Sequence, residues 1–165
     1  TTRIVTGFGV PQFSAIFECA TIAEKLRVPL IADGGIRTSK DVVLALAAGA
    51  SSVMIGKLFA LTKESAAQKR KSGEGFEAKY RGQASHDFQT DYYGGLKEKT
   101  VAEGIDFWAP VSGTTQELID LLLGGLRSGL TYGGARNIKE LQRKAEFMEV
   151  TPTFLMESFP RTGGK

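Results

Sequence analysis

The sequence predicts an α/β protein in which parallel strands alternate with helices and form part of a larger barrel. Two short apolar runs, 28–33 and 52–56, are each closed by glycine, and a helical segment separates them. Continuous apolar runs of this kind are typical of strands that helices cover on both faces. Because two strands do not make a complete sheet of this type, we expect the chain to be a fragment of a fuller barrel.

Helices are predicted beside both strands from apolar spacing and capping residues. Residues 14–26 carry apolar side chains at helical intervals, which predicts a helix before the first strand. Thr38 or Ser39 caps a second helix, which carries Asp41 in its first turn and is ended by Gly49. The order helix, strand, helix, strand is the one that a parallel sheet with crossover helices requires.

Residues 62–110 differ in character from the segments on either side. They are polar, show little periodicity and are interrupted by glycines. A segment of this length without regular structure is usually a lid, a binding loop or disorder. We therefore expect a long, mobile active-site loop, or flap, inserted at 62–110.

Two further helices and a small strand are predicted in the last third of the chain. Thr114 and Glu117 have the spacing of a capping box at the start of one helix, and Asn137 caps a shorter one. Residues 147–150 are predicted to form a small strand, and the tail to residue 165 is expected to be irregular.

The composition excludes several classes of protein. Hydrophobic residues make up 42% and charged residues 24%, an ordinary soluble mixture, and no apolar run approaches the ~20 residues that span a bilayer. The net charge of +3 without a long basic run does not imply nucleic-acid binding. The single cysteine, Cys19, excludes an intrachain disulfide and a multi-cysteine zinc site. It fits a reducing, cytoplasmic setting, and we expect it to be a buried helix residue.

Seven short motifs occur along the chain in a fixed order. They are TTR at 1–3, GFGVPQ at 7–12, IADGGI at 31–36, AGA at 48–50, VMIG at 53–56, YRG at 80–82 and GGLRS at 124–128. Each motif is short, but together, over essentially the whole chain, they resemble the IMP dehydrogenase and GMP reductase family. The resemblance implies that residues 1–165 are the C-terminal part of one catalytic (β/α)8 TIM barrel. Such barrels bind their ligands at the C-terminal ends of the strands.

The resemblance assigns the catalytic residues. In the family a catalytic cysteine directly precedes the Thr-Thr pair, so the nucleophile is expected immediately before Thr1. Thr2 is then implied to assist proton transfer at purine C2. Glu103 and Gly104 match the position that reads purine N1, and Glu103 is also implied to act with Thr2 in catalysis. His86, the only histidine, is interpreted as a polar loop residue.

Asp33 and three glycines are the candidate residues for ribose and phosphate. Asp33 ends an apolar strand, where a carboxylate can accept hydrogen bonds from both ribose hydroxyls, although it could equally be a turn or capping residue. Gly34, Gly35 and Gly56 follow consecutive strands, and such loops commonly hold phosphate, although glycine also suits simple turns. Lys57 replaces the small residue usual in the family and either adds a phosphate contact or faces solvent.

Five residues match the family's loop that carries backbone donors to the phosphate and the purine edge. They are Tyr80, Gly82, Gln83, Ala84 and Ser85, of which Gln83 and Ala84 replace the usual methionine and small residue. In the tail, Glu157 and Ser158 match a potassium site shared between subunits, where Phe159 replaces the usual histidine. The resemblance also implies a homotetramer, together with the N-terminal remainder of the same barrel.

The choice between the two reactions depends on the segment between Gly82 and Glu103. The dehydrogenase uses a flap arginine beside a tyrosine to activate water, and residues 86–93 contain no such pair. The short segment and the GGLKE run at 94–98 resemble the reductase, whereas Thr100 and the tail do not. The sequence favours a GMP reductase that uses NADPH, with an NAD-dependent IMP dehydrogenase as the alternative. A nucleotide-binding paralogue without catalysis is the non-enzyme alternative.

Overall fold

The computed structural model describes residues 2–157. Within them the helices are α1 (Thr2–Thr6), α2 (Gln12–Leu26), α3 (Ser39–Ala47), α4 (Lys57–Ala60), α5 (His86–Tyr93), α6 (Thr115–Tyr132), α7 (Ile138–Lys144) and α8 (Pro152–Glu157). The strands are β1 (Ile31–Asp33), β2 (Ser52–Met54), β3 (Lys69–Ser72), β4 (Gly75–Arg81) and β5 (Asp106–Pro110).

The two predicted strands pair in parallel, as expected. Ile31 lies opposite Ser52 and Asp33 lies opposite Met54. Ala32, at the centre of β1, is almost fully buried and belongs to a core shared with α2 and α3. Both strands are shorter than the apolar runs that predict them, because only three residues of each pair with the other strand.

Helix α3 begins as the sequence predicts. The carboxylate of Asp41 accepts hydrogen bonds from the backbone N–H groups of Arg37 and Thr38, at 2.9 and 2.8 Å. These contacts satisfy two donors at a helix start, where the backbone has no partner of its own. After the helix, Gly49 has φ +114°, and a Cβ there would lie 2.4 Å from the Cβ of Ala20. The turn into β2 therefore requires glycine.

Helix α6 packs closely on α3 because it carries glycines along the contact. A Cβ at Gly125 would lie 2.1 Å from Ser39 Oγ, and one at Gly129 would lie 2.7 Å from a methyl group of Val43. Glycine costs a helix about 1 kcal/mol relative to alanine. Here that cost is offset by the close approach, which buries a core of Val42, Leu46 and Leu122.

Residues 62–110 are not the irregular loop that their composition predicts. Strands β3, β4 and β5 form an antiparallel sheet in that order, and α5 follows β4. Every residue of β3, which reads KRKS, is exposed, so the strand has no apolar alternation that a sequence pattern could reveal. Ladder pairing with β4, from Lys69 opposite Ala78 to Ser72 opposite Gly75, holds it in place.

Three smaller expectations are wrong. Residues 147–150 form no strand; instead the ring of Phe147 packs edge-on against Phe13 of α2, with 4.8 Å between centroids. The tail, expected to be irregular, contains helix α8, which begins at Pro152. Proline is tolerated at the first position of a helix, because an N–H there would have no acceptor within the helix. Cys19 is exposed rather than buried.

None of the helices within residues 2–157 is long and apolar enough to cross a membrane.

Candidate functional site

The C-terminal ends of β1 and β2 lie side by side, and Asp33 stands at this edge. Its backbone carbonyl accepts a hydrogen bond from Gln12 Nε2 at 2.8 Å. Within residues 2–157, its exposed carboxylate has no hydrogen-bond or ion-pair partner. The capping role that was the alternative for Asp33 belongs to Asp41, at the start of α3. Asp33 therefore presents a free acceptor at the end of the sheet.

Gly34 and Gly35 turn the chain directly after Asp33. Their φ angles are +100° and +78°, in the region that side chains rarely adopt, so both positions favour glycine for conformational reasons. A Cβ at Gly34 would meet nothing within 4 Å. The turn is thus open on this side, and a ligand can approach its backbone.

The turn after β2 meets the antiparallel sheet at Tyr80. A Cβ at Gly56 would lie 4.0 Å from the hydroxyl oxygen of Tyr80. On the next strand, Phe107 packs against Tyr80 with 5.3 Å between ring centroids. The ammonium of Lys57 lies over the Phe107 ring, 5.0 Å from its centroid, as a favourable cation–π contact. The structure therefore brings Gly56, Lys57 and Tyr80 into one cluster.

Residues 82–85 form a turn that is bonded to the segment carrying Glu103. The N–H of Gly82 donates to Ile105 O at 3.0 Å, and the N–H of Gly104 donates to Ala84 O at 2.8 Å. Glu103 is half-buried, and within residues 2–157 no hydrogen bond or ion pair engages its carboxylate. Gln83 and Ala84 are exposed on the turn. Five of the predicted site residues, Gly82, Gln83, Ala84, Glu103 and Gly104, are thus assembled at one place.

Helix α5 is tied to β4 by an ion-pair network that the sequence analysis missed. Lys79 Nζ lies 2.7 Å and Arg81 Nη1 lies 3.2 Å from the two carboxylate oxygens of Asp87, and Arg81 also pairs with Asp91. The hydrogen bond from Lys79, then that from Arg81, lowers the pKa of Asp87 below its ordinary value. The spacing of Asp87 and Asp91, one helical turn apart, was the available signal.

The sequence of this chain matches a known family almost from end to end. A family model described as the IMP dehydrogenase / GMP reductase domain matches residues 1–161. The chain belongs to this family.

Curated members of the family are similar over nearly all of this chain. The IMP dehydrogenase of Aquifex aeolicus is 49% identical over 158 residues, which cover 92% of this chain and 32% of that protein. The IMP dehydrogenase of Cryptosporidium parvum is 42% identical over 96% of this chain and 41% of that protein. The chain thus spans about a third to two fifths of the length of these relatives.

A solved structure from the family has the same fold. It is a variant of the GMP reductase of Trypanosoma brucei in complex with guanosine 5'-monophosphate. The match has a TM-score of 0.90 at 36% sequence identity and covers 99% of this chain and 34% of that one. The α/β class, as part of a TIM barrel, is confirmed.

Thr2, which the resemblance to the IMP dehydrogenase / GMP reductase family predicts to be catalytic, makes no hydrogen bond or ion pair with the other predicted site residues that the structure describes. It is exposed on α1, and its carbonyl accepts a hydrogen bond from Thr6 Oγ1 at 2.9 Å. Within residues 2–157 no hydrogen bond or ion pair joins it to Asp33 or Glu103. The catalytic role of Thr2 stays a prediction.

The residues predicted to form a potassium site lie at the edge of what the structure describes. Glu157 is the last residue of α8, and Ser158 and Phe159 lie outside the described residues. Among residues 2–157 no group of three or more histidine, cysteine, aspartate or glutamate residues could hold a metal ion. Potassium binding by backbone carbonyls stays a prediction.

Gln12 lies beside the candidate site, although the sequence patterns did not single it out as a site residue. Besides donating to Asp33 O, it lines a cavity of about 110 Å³ together with Gly34 and Gly35. Its place in the GFGVPQ motif was the signal. A larger cavity, of about 920 Å³, lies beyond the opposite ends of β1 and β2, next to Leu30 and Ser51. None of the predicted site residues lines it.

Proposed function

We propose that the full-length protein is an oxidoreductase that transfers hydride at C2 of a purine nucleoside monophosphate. One observation carries the proposal: the carboxylates of Asp33 and Glu103 have no partner within residues 2–157, and each lies beside a turn with exposed backbone. Asp33 directly precedes the Gly34-Gly35 turn, and the segment of Glu103 is hydrogen-bonded to the turn of residues 82–85. Membership of the IMP dehydrogenase / GMP reductase family and the similarity to a GMP-bound reductase support it.

The phosphate and the ribose are assigned to the ends of β1 and β2. Backbone N–H groups after the strands, at Gly34, Gly35 and Gly56, are close-approach donors for phosphate, and the Tyr80 hydroxyl is a further donor beside Gly56. Lys57 adds positive charge next to this turn. The carboxylate of Asp33 accepts only, which suits the two donating hydroxyls of a ribose.

The purine edge is assigned to the turn of residues 82–85 and to Glu103. An ionised carboxylate accepts hydrogen bonds from N1–H and from a 2-amino group, and guanine offers both. Adenine has no proton on N1, so the same carboxylate would face an acceptor and disfavour it. Glu103 therefore favours GMP over AMP, and Gly104 allows the close contact with Ala84 that positions it.

The reaction proposed is the reduction of GMP to IMP. A cysteine expected immediately before Thr1 attacks C2, and the 2-amino group leaves as ammonia, protonated with the help of Glu103 and Thr2. NADPH, when bound, would supply a hydride to C2, and the bond between C2 and the cysteine sulfur then breaks, which releases IMP and restores the cysteine thiolate. Water activation is not needed, and residues 86–93, which form helix α5, contain no arginine beside a tyrosine.

A dehydrogenase is the second candidate, because the curated relatives described above are IMP dehydrogenases at 42–49% identity. In that case IMP is oxidised by NAD and water to XMP, and another group must activate the water. A nucleotide-binding protein without catalysis is the third candidate. A homotetramer, potassium at Glu157–Phe159, partnership with the rest of the barrel and a cytoplasmic location belong to the same proposal.

Two assays with the full-length protein distinguish these candidate functions, and both follow the absorbance of the reduced nicotinamide. One contains GMP and NADPH, and the other contains IMP and NAD. We expect NADPH consumption with GMP. Turnover of IMP without consumption of GMP would establish the dehydrogenase instead. Tight GMP binding in calorimetry with no turnover in either assay would favour the non-enzyme reading.

A further inference from the structure

The side chain of Gln89, on α5, reaches back to the turn of residues 82–85. Its Nε2 donates a hydrogen bond to the carbonyl oxygen of Gln83 at 2.9 Å. Its own backbone N–H donates to Ser85 O at 3.0 Å. Ser85 is fully buried, and its Oγ accepts from the N–H of Phe88 as the cap of α5. Gln89 is therefore held in a fixed place relative to the turn.

Helix α5 is itself fixed to the strand that leads into the turn. Lys79 and Arg81 on β4 bind Asp87, and Arg81 also binds Asp91 one helical turn further on. The strand before the turn and the helix after it are thus joined by ion pairs as well as by the chain. The hydrogen bond from Gln89 to the Gln83 carbonyl adds a further contact between α5 and the turn.

The contact decides which way one peptide group faces. In a trans peptide the C=O and the following N–H point in opposite directions. Because the carbonyl of Gln83 faces Gln89, the N–H of Ala84 faces away from α5. Within residues 2–157 no acceptor lies on this N–H, and Ala84 is exposed. The carbonyl of Ala84 is occupied by the N–H of Gly104. The turn thus offers the Ala84 N–H as a donor beside the segment of Glu103.

A donor beside a carboxylate matches one class of purine. If Glu103 accepts from N1–H, the neighbouring edge atom on one side is the substituent at C6. A 6-oxo group accepts a hydrogen bond and pairs with the Ala84 N–H, whereas a 6-amino group has no acceptor to offer it. With the peptide turned over, the Gln83 carbonyl would face the ligand, and the preference at C6 would reverse.

We propose that Gln89 is a specificity-determining positioning residue: it keeps the Ala84 N–H directed at the ligand, so that the site selects 6-oxo over 6-amino purine monophosphates. This inference rests on the proposed function, in which the turn and Glu103 hold the purine. It adds a residue that does not touch the substrate and that fixes the polarity of one peptide group.

The test measures dissociation constants of GMP and of AMP for the full-length protein and for Gln89→Met, which keeps the side-chain length and removes the donor. The loss of one hydrogen bond between uncharged groups changes a ligand's dissociation constant by about tenfold. We expect the ratio of AMP to GMP dissociation constants to fall by about tenfold or more, with kcat at saturating GMP changed by less. Gln142→Met is the matched control, since the Gln142 amide also donates to backbone carbonyls, Leu46 O and Ala50 O, at 3.0 and 3.1 Å. It lies away from the turn and should leave the ratio unchanged.

Gln89→Glu is the second variant, because an ionised carboxylate repels the Gln83 carbonyl, and it should lower the ratio at least as far. An unchanged ratio in both Gln89 variants, or equal loss of GMP and AMP affinity, overturns the inference while leaving the proposed function intact. If one variant does not fold, the ratio in the other decides. A wild-type protein that binds neither nucleotide overturns both.

Discussion

The N–H of Gly104 donates to the carbonyl of Ala84 at 2.8 Å, and the two backbones approach so closely that no side chain fits between them. A Cβ at Gly104 would lie 2.4 Å from Ser85 N and 2.6 Å from Ala84 C. Both neighbours are backbone atoms, so a side chain could be admitted only by moving the turn. This contact is what holds Glu103 beside residues 82–85.

Gly104→Ala should therefore weaken both the fold and the site. Overpacking of this kind costs about 1–3 kcal/mol of unfolding free energy, and GMP affinity should fall as well because the turn moves. Urea unfolding and calorimetry measure the two effects. Gly124→Ala is the control: a Cβ there meets nothing within 4 Å, and alanine should stabilise α6 by up to about 1 kcal/mol. Wild-type stability and GMP affinity in Gly104→Ala would contradict the prediction.

Asp33 and Asp41 should separate binding from stability. Asp33→Ala leaves the ribose hydroxyls without a charged partner, so GMP affinity should fall by about 2 kcal/mol or more. Its unfolding free energy should stay within about 0.5 kcal/mol of wild type, since its carboxylate has no partner within residues 2–157. Asp41→Ala should do the reverse and lose about 1 kcal/mol of stability with the cap of α3. Unchanged GMP binding in Asp33→Ala would remove Asp33 from the site.

Asp87 should make the fold sensitive to acid. Its pKa is lowered in the folded protein by Lys79 and Arg81. The stabilisation is therefore fully present above the unfolded-state pKa, about 4, and is lost as pH falls through the lower, folded value. Asp87→Asn should have a lower Tm than wild type at neutral pH, and the difference should narrow below about pH 4.

The matched control for Asp87 is Glu74→Gln in the turn between β3 and β4. Glu74 is exposed, and it has no ion pair within the described part of the chain. Its Tm should follow that of wild type at every pH. A difference between wild type and Asp87→Asn that stays constant from neutral pH to acid would show that the ion pairs do not stabilise the fold.

The sequence predicts those parts of the fold that local signals determine. The parallel strands are apolar runs closed by glycine. Helices α3, α6 and α7 begin directly after their N-cap residues, Thr38, Thr114 and Asn137, as the capping patterns indicate. The antiparallel sheet escapes prediction because β3 is wholly exposed and is held by pairing with β4. The strand expected at 147–150 fails because the apolar side chain of Phe147 serves a contact with α2.

The sequence predicts several residues of the candidate site but not the hydrogen bonds that join their segments. The motifs single out Gly82, Gln83, Ala84 and Glu103, and the structure brings the two segments together through the bond from Gly104 to Ala84. The contact from Gln89 to the Gln83 carbonyl depends on how α5 turns back over the preceding residues. No pattern of residue types determines that geometry, so only the structure shows it.

The destination of the hydride shows whether the protein reduces GMP at C2. The full-length protein is incubated with GMP and with NADPH that carries deuterium at both C4 positions, and the purine product is analysed by mass spectrometry and NMR. We expect IMP that carries one deuterium, at C2, together with ammonia in equal amount. A purine product without deuterium at C2, or no purine product at all, would contradict the proposed reaction.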